Sequence, residues 1–283
     1  VAMRKDYSHK DLIWIDLESP TREEIVSLME TYDIHPLIAE ELLMTTLRPK
    51  VDTYPNCIYL VLHFPVIAHK PDQIAQYEID FVVGKNFIIT VHQDMPEGLH
   101  EFSKMFEVNS LLSRIDVQVH VGLIAYFMLR KLYEHTLLRL DLINESIKKV
   151  ERRVFEGDDA RMVHAISDIN RKLIDVRQAI RYHEDVLQSF QKSAISFFGE
   201  KFEPYMAVIL GDHSRILSSL SGHREIIKDL RETNDTLIAA KTNYVVRTLT
   251  ILAFTTLPIT LTAGLLGIDT SRLPFLQNNF SFW

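Results

Sequence analysis

Cysteine is almost missing from this chain of 283 residues: Cys57 stands alone, which excludes an intrachain disulfide and any cysteine-based zinc cluster. Glycine is scarce, with nine in all. Neither Gly-x-Gly-x-x-Gly nor Gly-x-x-x-x-Gly-Lys occurs, so the usual phosphate cradles, and a nucleotide-driven mechanism with them, have no basis. A basic excess is missing too. Lys and Arg number 31 against 38 Asp and Glu, a net charge of −7, the wrong sign for a nucleic-acid footprint. Twelve histidines are present, yet no His-x-x-x-His or His-Glu-x-x-His pairs them as zinc ligands. His164, His183, His213 and His223 are expected along polar helix faces. No order of Ser, His, Asp or Cys points to nucleophilic catalysis, and Cys57 lies in an apolar run where an inert thiol is expected. An enzyme is not expected. What remains is ordinary globular matter, 47% hydrophobic and 24% charged, enough to build a core.

One segment changes the class. Thr248 to Ile268 reads TLTILAFTTLPITLTAGLLGI, without a charge, and as a helix it would span roughly 30 Å, the thickness of a bilayer's hydrocarbon core. Pro258 and six threonines dilute its hydropathy, but proline is tolerated in membrane helices where neighbours satisfy the freed carbonyl. Lys241 and Arg247 precede the segment and Arg272 comes after it, which places the N-terminal side in the cytosol. Val1 to Lys10 is polar, so no secretory signal opens the chain, and a first residue of Val reads as a trimmed or internal beginning.

The fold class expected is α+β. Residues 1–110 read as a cytosolic α/β domain with a mixed sheet. Leu12 to Leu17 is a strand, and Ser19-Pro20-Thr21 with Glu23 and Glu24 starts a helix. Pro36 opens a short second helix, and Cys57–Ala68, Gln76–Val83 and Phe87–His92 are strands, the last two joined by Gly84-Lys85-Asn86. Residues 111–200 read as a long antiparallel helical hairpin: one helix from Val117 to Phe155, a break at Gly157-Asp158-Asp159 in which either aspartate can cap the second helix, and that second helix from Ala160 to about Ser196. A third helix from Pro204 runs on without interruption, a cytosolic stalk over 201–247 leading into a transmembrane helix over 248–268. Its total length is on the order of 90 Å. Residues 269–283 form an extracytoplasmic loop.

The words Lys241-Thr242-Asn243, Leu249-Thr250-Ile251, Leu257-Pro258-Ile259-Thr260, Ala263 to Asp269 and Leu273-Pro274 resemble, in order and spacing, the pore helix of the CorA family of divalent-cation transporters. WIDL at Trp14 to Leu17, RPKVD at Arg48 to Asp52 and ITV at Ile89 to Val91 agree. The resemblance implies a homopentameric funnel in the inner membrane, its N-terminal part cytoplasmic, carrying Mg²⁺ and also Co²⁺ or Ni²⁺. A Zn²⁺ transporter of the ZntB branch and a membrane-anchored metal-sensing scaffold are the alternatives. Two departures stand out. The family's Gly-Met-Asn signature is replaced by Gly267-Ile268-Asp269, and the chain ends at Trp283 where the family's second membrane helix would begin. A longer, multi-pass natural chain is therefore expected.

Around a five-fold axis, lining residues must recur every three or four positions. Asn243, Val246, Leu249 or Thr250, Ala253, Leu257, Thr260 and Gly264 do so. Apolar rings gate by dewetting, and rings of neutral oxygen hold a cation through its water shell, which Mg²⁺ sheds reluctantly. Asp269, at the position of the family's asparagine, would put a ring of carboxylates at the outer mouth. Glu232 lies near where the family carries an acidic ring, with Asp235 its neighbour on a nearby face, and Asp212 beside His213 resembles the family's regulatory metal pair. Carboxylates facing one another across subunits repel unless a cation sits between them, so Mg²⁺ is also the expected regulator. Partners beyond a bilayer, four further copies of the chain and divalent cations are not expected.

Overall fold

The computed structural model describes residues 3–66, 76–93, 96–107, 120–156 and 159–266. Among them one sheet holds β1 (Met3–His9), β2 (Leu12–Glu18), β3 (Lys50–Thr53), β4 (Cys57–Pro65), β5 (Gln76–Gly84) and β6 (Phe87–His92). Their order is β1-β2-β6-β5-β4-β3. Only β2 and β6 run parallel, because β2 reaches β6 through the crossover of α1 (Arg22–Tyr32), α2 (Pro36–Glu41) and the three intervening strands. The mixed sheet expected from the sequence is present. Helix α1 starts where its capping signal lies: Thr21 Oγ1 accepts the Glu24 amide at 3.3 Å and the Glu24 carboxylate accepts the Thr21 amide at 2.8 Å.

Both faces of the sheet are covered, giving three layers. One face carries Ile15, Leu17, Tyr59, Val61, Val82 and Ile89 against Ile25, Leu28 and Ile38 of α1 and α2. The other carries Trp14, Leu60, Leu62, Phe64, Phe81 and Ile88 against the long helices. Three elements escape the sequence reading. Strand β1 is charged and largely exposed, held by pairing with β2 and by Tyr7 stacking on Trp14 at 4.3 Å. Strand β3 is a four-residue edge. Helix α3 (Glu97–Glu107) buries Leu99, Phe102 and Phe106.

Helix α4 (Val121–Glu156) covers 36 residues, about 54 Å. The helix expected next is two helices, α5 (Asp159–Ile180) and α6 (His183–Phe198), broken at Arg181-Tyr182. No proline or glycine marks this break; both helices pack on α7 and on the sheet, α5 against α4, β4 and β5 and α6 against β3 and β4. Capping by Asp158 or by the Asp159 side chain lies outside the described residues. Helix α7 (Glu203–Leu266) runs for 64 residues, about 96 Å. Its lower half buries Met206, Ile209, His213, Ile216, Leu220, His223, Ile227, Leu230 and Asn234, alternate steps of three and four that form one seam against α4, α5 and α6.

Three histidines expected on polar faces are buried instead: His183, His213 and His223. The Tyr133 hydroxyl of α4 and His183 Nδ1 share a hydrogen bond at 2.7 Å. The His183 and His213 rings lie 6.1 Å apart, and Phe64 packs edge-on to both Tyr133 and His183. The cluster ties β4, α4, α6 and α7 together, and aromatic neighbours supply the burial that isolated imidazoles would not seek. Burial first, and the His213 ring second, push the His183 imidazole down to about 3. His183 is thus neutral when folded and protonated when unfolded at any pH between about 6.5 and that value. Stability attached to it falls as pH falls through this window, by up to about 1.4 kcal/mol per pH unit. Acid melts monitored by circular dichroism should show His183→Gln with a shallower loss between pH 6 and pH 4 than the parent, by about one proton; equal slopes would remove His183 from the acid response.

Candidate functional site

Above Leu237, which is still partly packed on the core, and Ile238, no described residue of the subunit covers α7. All residues from 239 to 265 are exposed, with Tyr244, Phe254, Leu257, Ile259 and Leu261 among them. This is the one stretch among the described residues that is long and apolar enough to cross a membrane. Apolar side chains surround the whole circumference, so a solvent other than water, or other helices, must cover them. The six threonines do not spoil this. Thr248, Thr250, Thr255, Thr256, Thr260 and Thr262 each donate to a backbone carbonyl one turn back, at 2.7 to 3.1 Å. Their donors are satisfied inside the helix, and only hydroxyl oxygens remain to accept.

The expected pore stripe lies on a definite side. Continuing the buried seam past Asn234 in sevens gives positions 241 and 248, whereas Asn243, Val246, Thr250, Ala253, Leu257, Thr260 and Gly264 run two residues later. Two residues are about 200° around the helix. The stripe therefore faces away from the subunit's own core, and every member of it is exposed. Leu249, the alternative to Thr250, is exposed as well. Gly264 has open space where a Cβ would stand. Gly267, Ile268 and Asp269 lie outside the described residues.

The acidic residues separate by face. Glu232 is eleven residues before Asn243, hence within about 20° of the same side. It is exposed and pairs loosely with Lys228 at 3.9 Å. Asp235 is exposed and borders a groove of about 820 Å³ between α5 and α7. Asp212 sits beside buried His213 on the flank of the seam and accepts from Arg215 at 3.1 Å. Twenty residues, about 30 Å, separate it from Glu232, so the two cannot share an ion within one subunit. Among the described residues no three His, Cys, Asp or Glu side chains of one chain converge as a metal site.

A second polar constellation was missed from sequence. A cavity of about 790 Å³ beneath the loop Leu42–Leu47 is lined by His63, Glu78, Asp80 and His92 together with Thr45, Gln76, Gln93 and apolar neighbours. Thr46 donates its amide to both Glu78 oxygens at 2.9 Å, and His63 Nε2 lies 3.4 Å from Glu78 Oε2. Burial and then the charge of Glu78 push the Asp80 carboxyl well above the usual range. Behind it, Trp14 donates to Thr90 Oγ1 at 2.9 Å, Thr90 donates to Asp16 Oδ1, and His92 Nε2 meets that same oxygen at 3.0 Å. The signal for the cavity carboxylates was parity: Glu78 and Asp80 share the strand face of buried Val82, and His63 that of Val61 and Tyr59.

Comparison with known proteins fits this architecture. The chain is 22% identical over 265 residues to the cobalt/magnesium transport protein CorA of Thermotoga maritima, covering 93% of this chain and 75% of that one. It is 23% identical to the putative metal ion transporter YfjQ of Bacillus subtilis, covering 95% and 82%. The complete structure of the CorA magnesium transporter from Methanocaldococcus jannaschii superposes with a TM-score of 0.79 at 18% identity, covering 100% of this chain and 92% of that chain. The full-length CmaX protein gives 0.78 at 17% identity, covering 96% and 82%. These likenesses establish a shared fold. The model of the family described as CorA-like Mg²⁺ transporter protein matches residues 9–283, nearly the whole chain, and the protein therefore belongs to the CorA family.

Proposed function

We propose that the chain is one subunit of a homopentameric divalent-cation channel of the inner membrane, multi-pass in its natural length, with its sheet and hairpin in the cytoplasm. Mg²⁺ is the proposed ion, with Co²⁺ and Ni²⁺ as further substrates, driven by gradient and membrane potential. The observation that carries this reading is the geometry of α7: the face opposite its buried seam is exposed from Asn243 to Gly264, as a helix packed outward on its own subunit and inward on an axis requires. Asn243 would supply an amide ring, Val246, Leu249 and Leu257 apolar constrictions, and Thr260 a ring of hydroxyl oxygens whose protons are already committed to Thr256. Such a ring accepts bonds from the water shell of Mg²⁺ without demanding dehydration. Gly267, Ile268 and Asp269 would form the outer mouth, the carboxylate concentrating cations there.

Regulation would lie on the stalk. Asp212, Glu232 and Asp235 carry the charge that metal between subunits would neutralise, so loaded subunits hold together and depletion releases them.

Uptake of Mg²⁺ and Zn²⁺ into proteoliposomes holding the full gene product, with an imposed inside-negative potential, tests the reading. Saturable Mg²⁺ influx is expected, and Asp269→Asn should lower apparent affinity severalfold while flux persists. Zn²⁺ influx alone would favour the ZntB-like alternative, and no divalent flux from an assembled pentamer would favour a metal-sensing scaffold. In the same assay Leu257→Asn should raise flux severalfold at inhibitory internal Mg²⁺, because a wetted constriction no longer gates. Asp212→Asn should weaken inhibition by internal Mg²⁺; unchanged inhibition would remove it from the sensor.

A further inference from the structure

The groove of about 820 Å³ between α5 and α7 has a chemistry that neither the pore nor the stalk carboxylates use. His183, just past the end of α5, lies beside His213, so α5 descends along α7: Arg177 stands toward the Leu217 end of the groove and Val163 toward Asn234. The floor is apolar, with Ile166, Leu220 and Ile227 buried. The rim is mainly cationic, Arg177, Arg224, Lys228 and Arg231 against Glu225 and Asp235, in a chain whose net charge is −7. Lys228 has Glu232 only at 3.9 Å, and Arg177, Arg224 and Arg231 make no ion pair among the described residues. Asn234 adds a demand of its own. The seam of α7 takes apolar residues at Leu220 and Ile227, and seven positions on it takes Asn234, which is 1% exposed, lines the groove and leaves Oδ1 without a partner among the described residues. A buried amide oxygen costs stability until a donor reaches it. Two things are therefore wanted at once: negative charge along the rim, and a hydrogen-bond donor at the Asn234 end. Arg224 and Asn234 are ten residues apart, about 15 Å along the helix, so a single molecule that meets both is elongated.

We propose that this groove binds a nucleoside polyphosphate, its phosphates on Arg177, Arg224 and Lys228, its base over the apolar floor toward Val163, and an amino or hydroxyl group of the nucleoside donating to Asn234 Oδ1. Guanidinium groups meet phosphate oxygens two at a time, and the flat face of a base covers apolar side chains that water does not. Inorganic phosphate answers only the charge of the rim, and an acid without a donor leaves Asn234 unmet. Side chains rather than backbone amides hold the phosphates here, so no glycine-rich cradle is needed and no hydrolysis is implied. The bound molecule bridges two elements, because Arg177 belongs to α5 and Arg224 and Lys228 to α7. It lies just below the level at which α7 leaves its support, so binding tightens the grip on the base of the free upper half. Binding of this kind does not depend on cation transport.

The test uses the full gene product in detergent, with ATP as the probe and a chelator present so that no metal on Asp212, Glu232 or Asp235 can recruit the phosphates. Equilibrium dialysis should show saturable, submillimolar binding of ATP. Arg177→Gln and Arg224→Gln should each weaken it about tenfold, and the two together should remove it. Both side chains are exposed, and a melt compared with the parent confirms that the double variant folds. Asn234→Leu should weaken ATP severalfold and leave the weaker binding of inorganic tripolyphosphate unchanged, a split that a purely structural role for Asn234 does not produce. Absence of saturable ATP binding overturns the proposal. So does unchanged ATP affinity in the folded double variant or in folded Asn234→Leu, and so does tripolyphosphate binding as tightly as ATP, the mark of a charged surface alone. Flux in liposomes is read separately: ATP binding without cation flux sinks the transport reading alone, and flux without ATP binding sinks this one alone.

Discussion

The fold depends on one seam. A helix of 64 residues has no stability of its own to match its length in water, and most of what holds such an element comes from packing an apolar face. In α7 that face is the run from Met206 to Asn234, pressed on α4, α5 and α6. The hairpin exists to supply this support, and the sheet in turn anchors the hairpin through Phe64, Leu60 and Phe81. Fixing one side of α7 also fixes the other. Because the seam and the exposed stripe belong to one rigid helix, the side chains that α7 leaves exposed between Asn243 and Gly264 are chosen by packing below it.

Polar groups are handled differently in the three regions. In the span, threonine hydroxyls fold back onto carbonyls, so the helix enters an apolar surrounding with its donors already used. In the core, Tyr133, His183 and His213 form a buried polar joint, with the Nε2 atoms of both imidazoles still without a partner among the described residues. Beneath the α2–β3 loop, the Thr46 amide donates to both oxygens of Glu78, beside His63, and the Asp80 carboxyl is buried next to them. The first arrangement suits lipid, the second suits a fixed junction between sheet and stalk, and the third ties the loop to the sheet through the Thr46 amide.

The long elements were legible because their signals are long. The spacing of Leu129, Leu132, Leu140, Ile143 and Ile147 declares α4, and the uncharged run after Arg247 declares the span. Thr21 and Pro36 marked helix starts through caps that need only local chemistry. Strand β1 was hidden because MRKDYSH draws its order from β2 rather than from burial of its own. The break at Arg181-Tyr182 was hidden because no proline, glycine or capping side chain marks it: Tyr182 makes no side-chain cap hydrogen bond. The buried histidines misled because a lone polar residue in a helical seam reads as surface until its neighbours are known. The stripe from Asn243 to Gly264 came from periodicity, but its side relative to the core came only from the structure.

The free length of α7 makes the helix an arm. From Asn234 to Leu266 it extends 32 residues past its last full grip, about 48 Å. Held as a rigid rod, an arm of that length converts a tilt of about 5° at the grip into a sweep of about 4 Å at its tip. That is comparable to the thickness of one ring of side chains. Movements too small to disturb the packing of Leu230 or Ile227 are thus magnified at the far end, and in the proposed pentamer five such arms moving together would change the bore between them by more than any one of them moves.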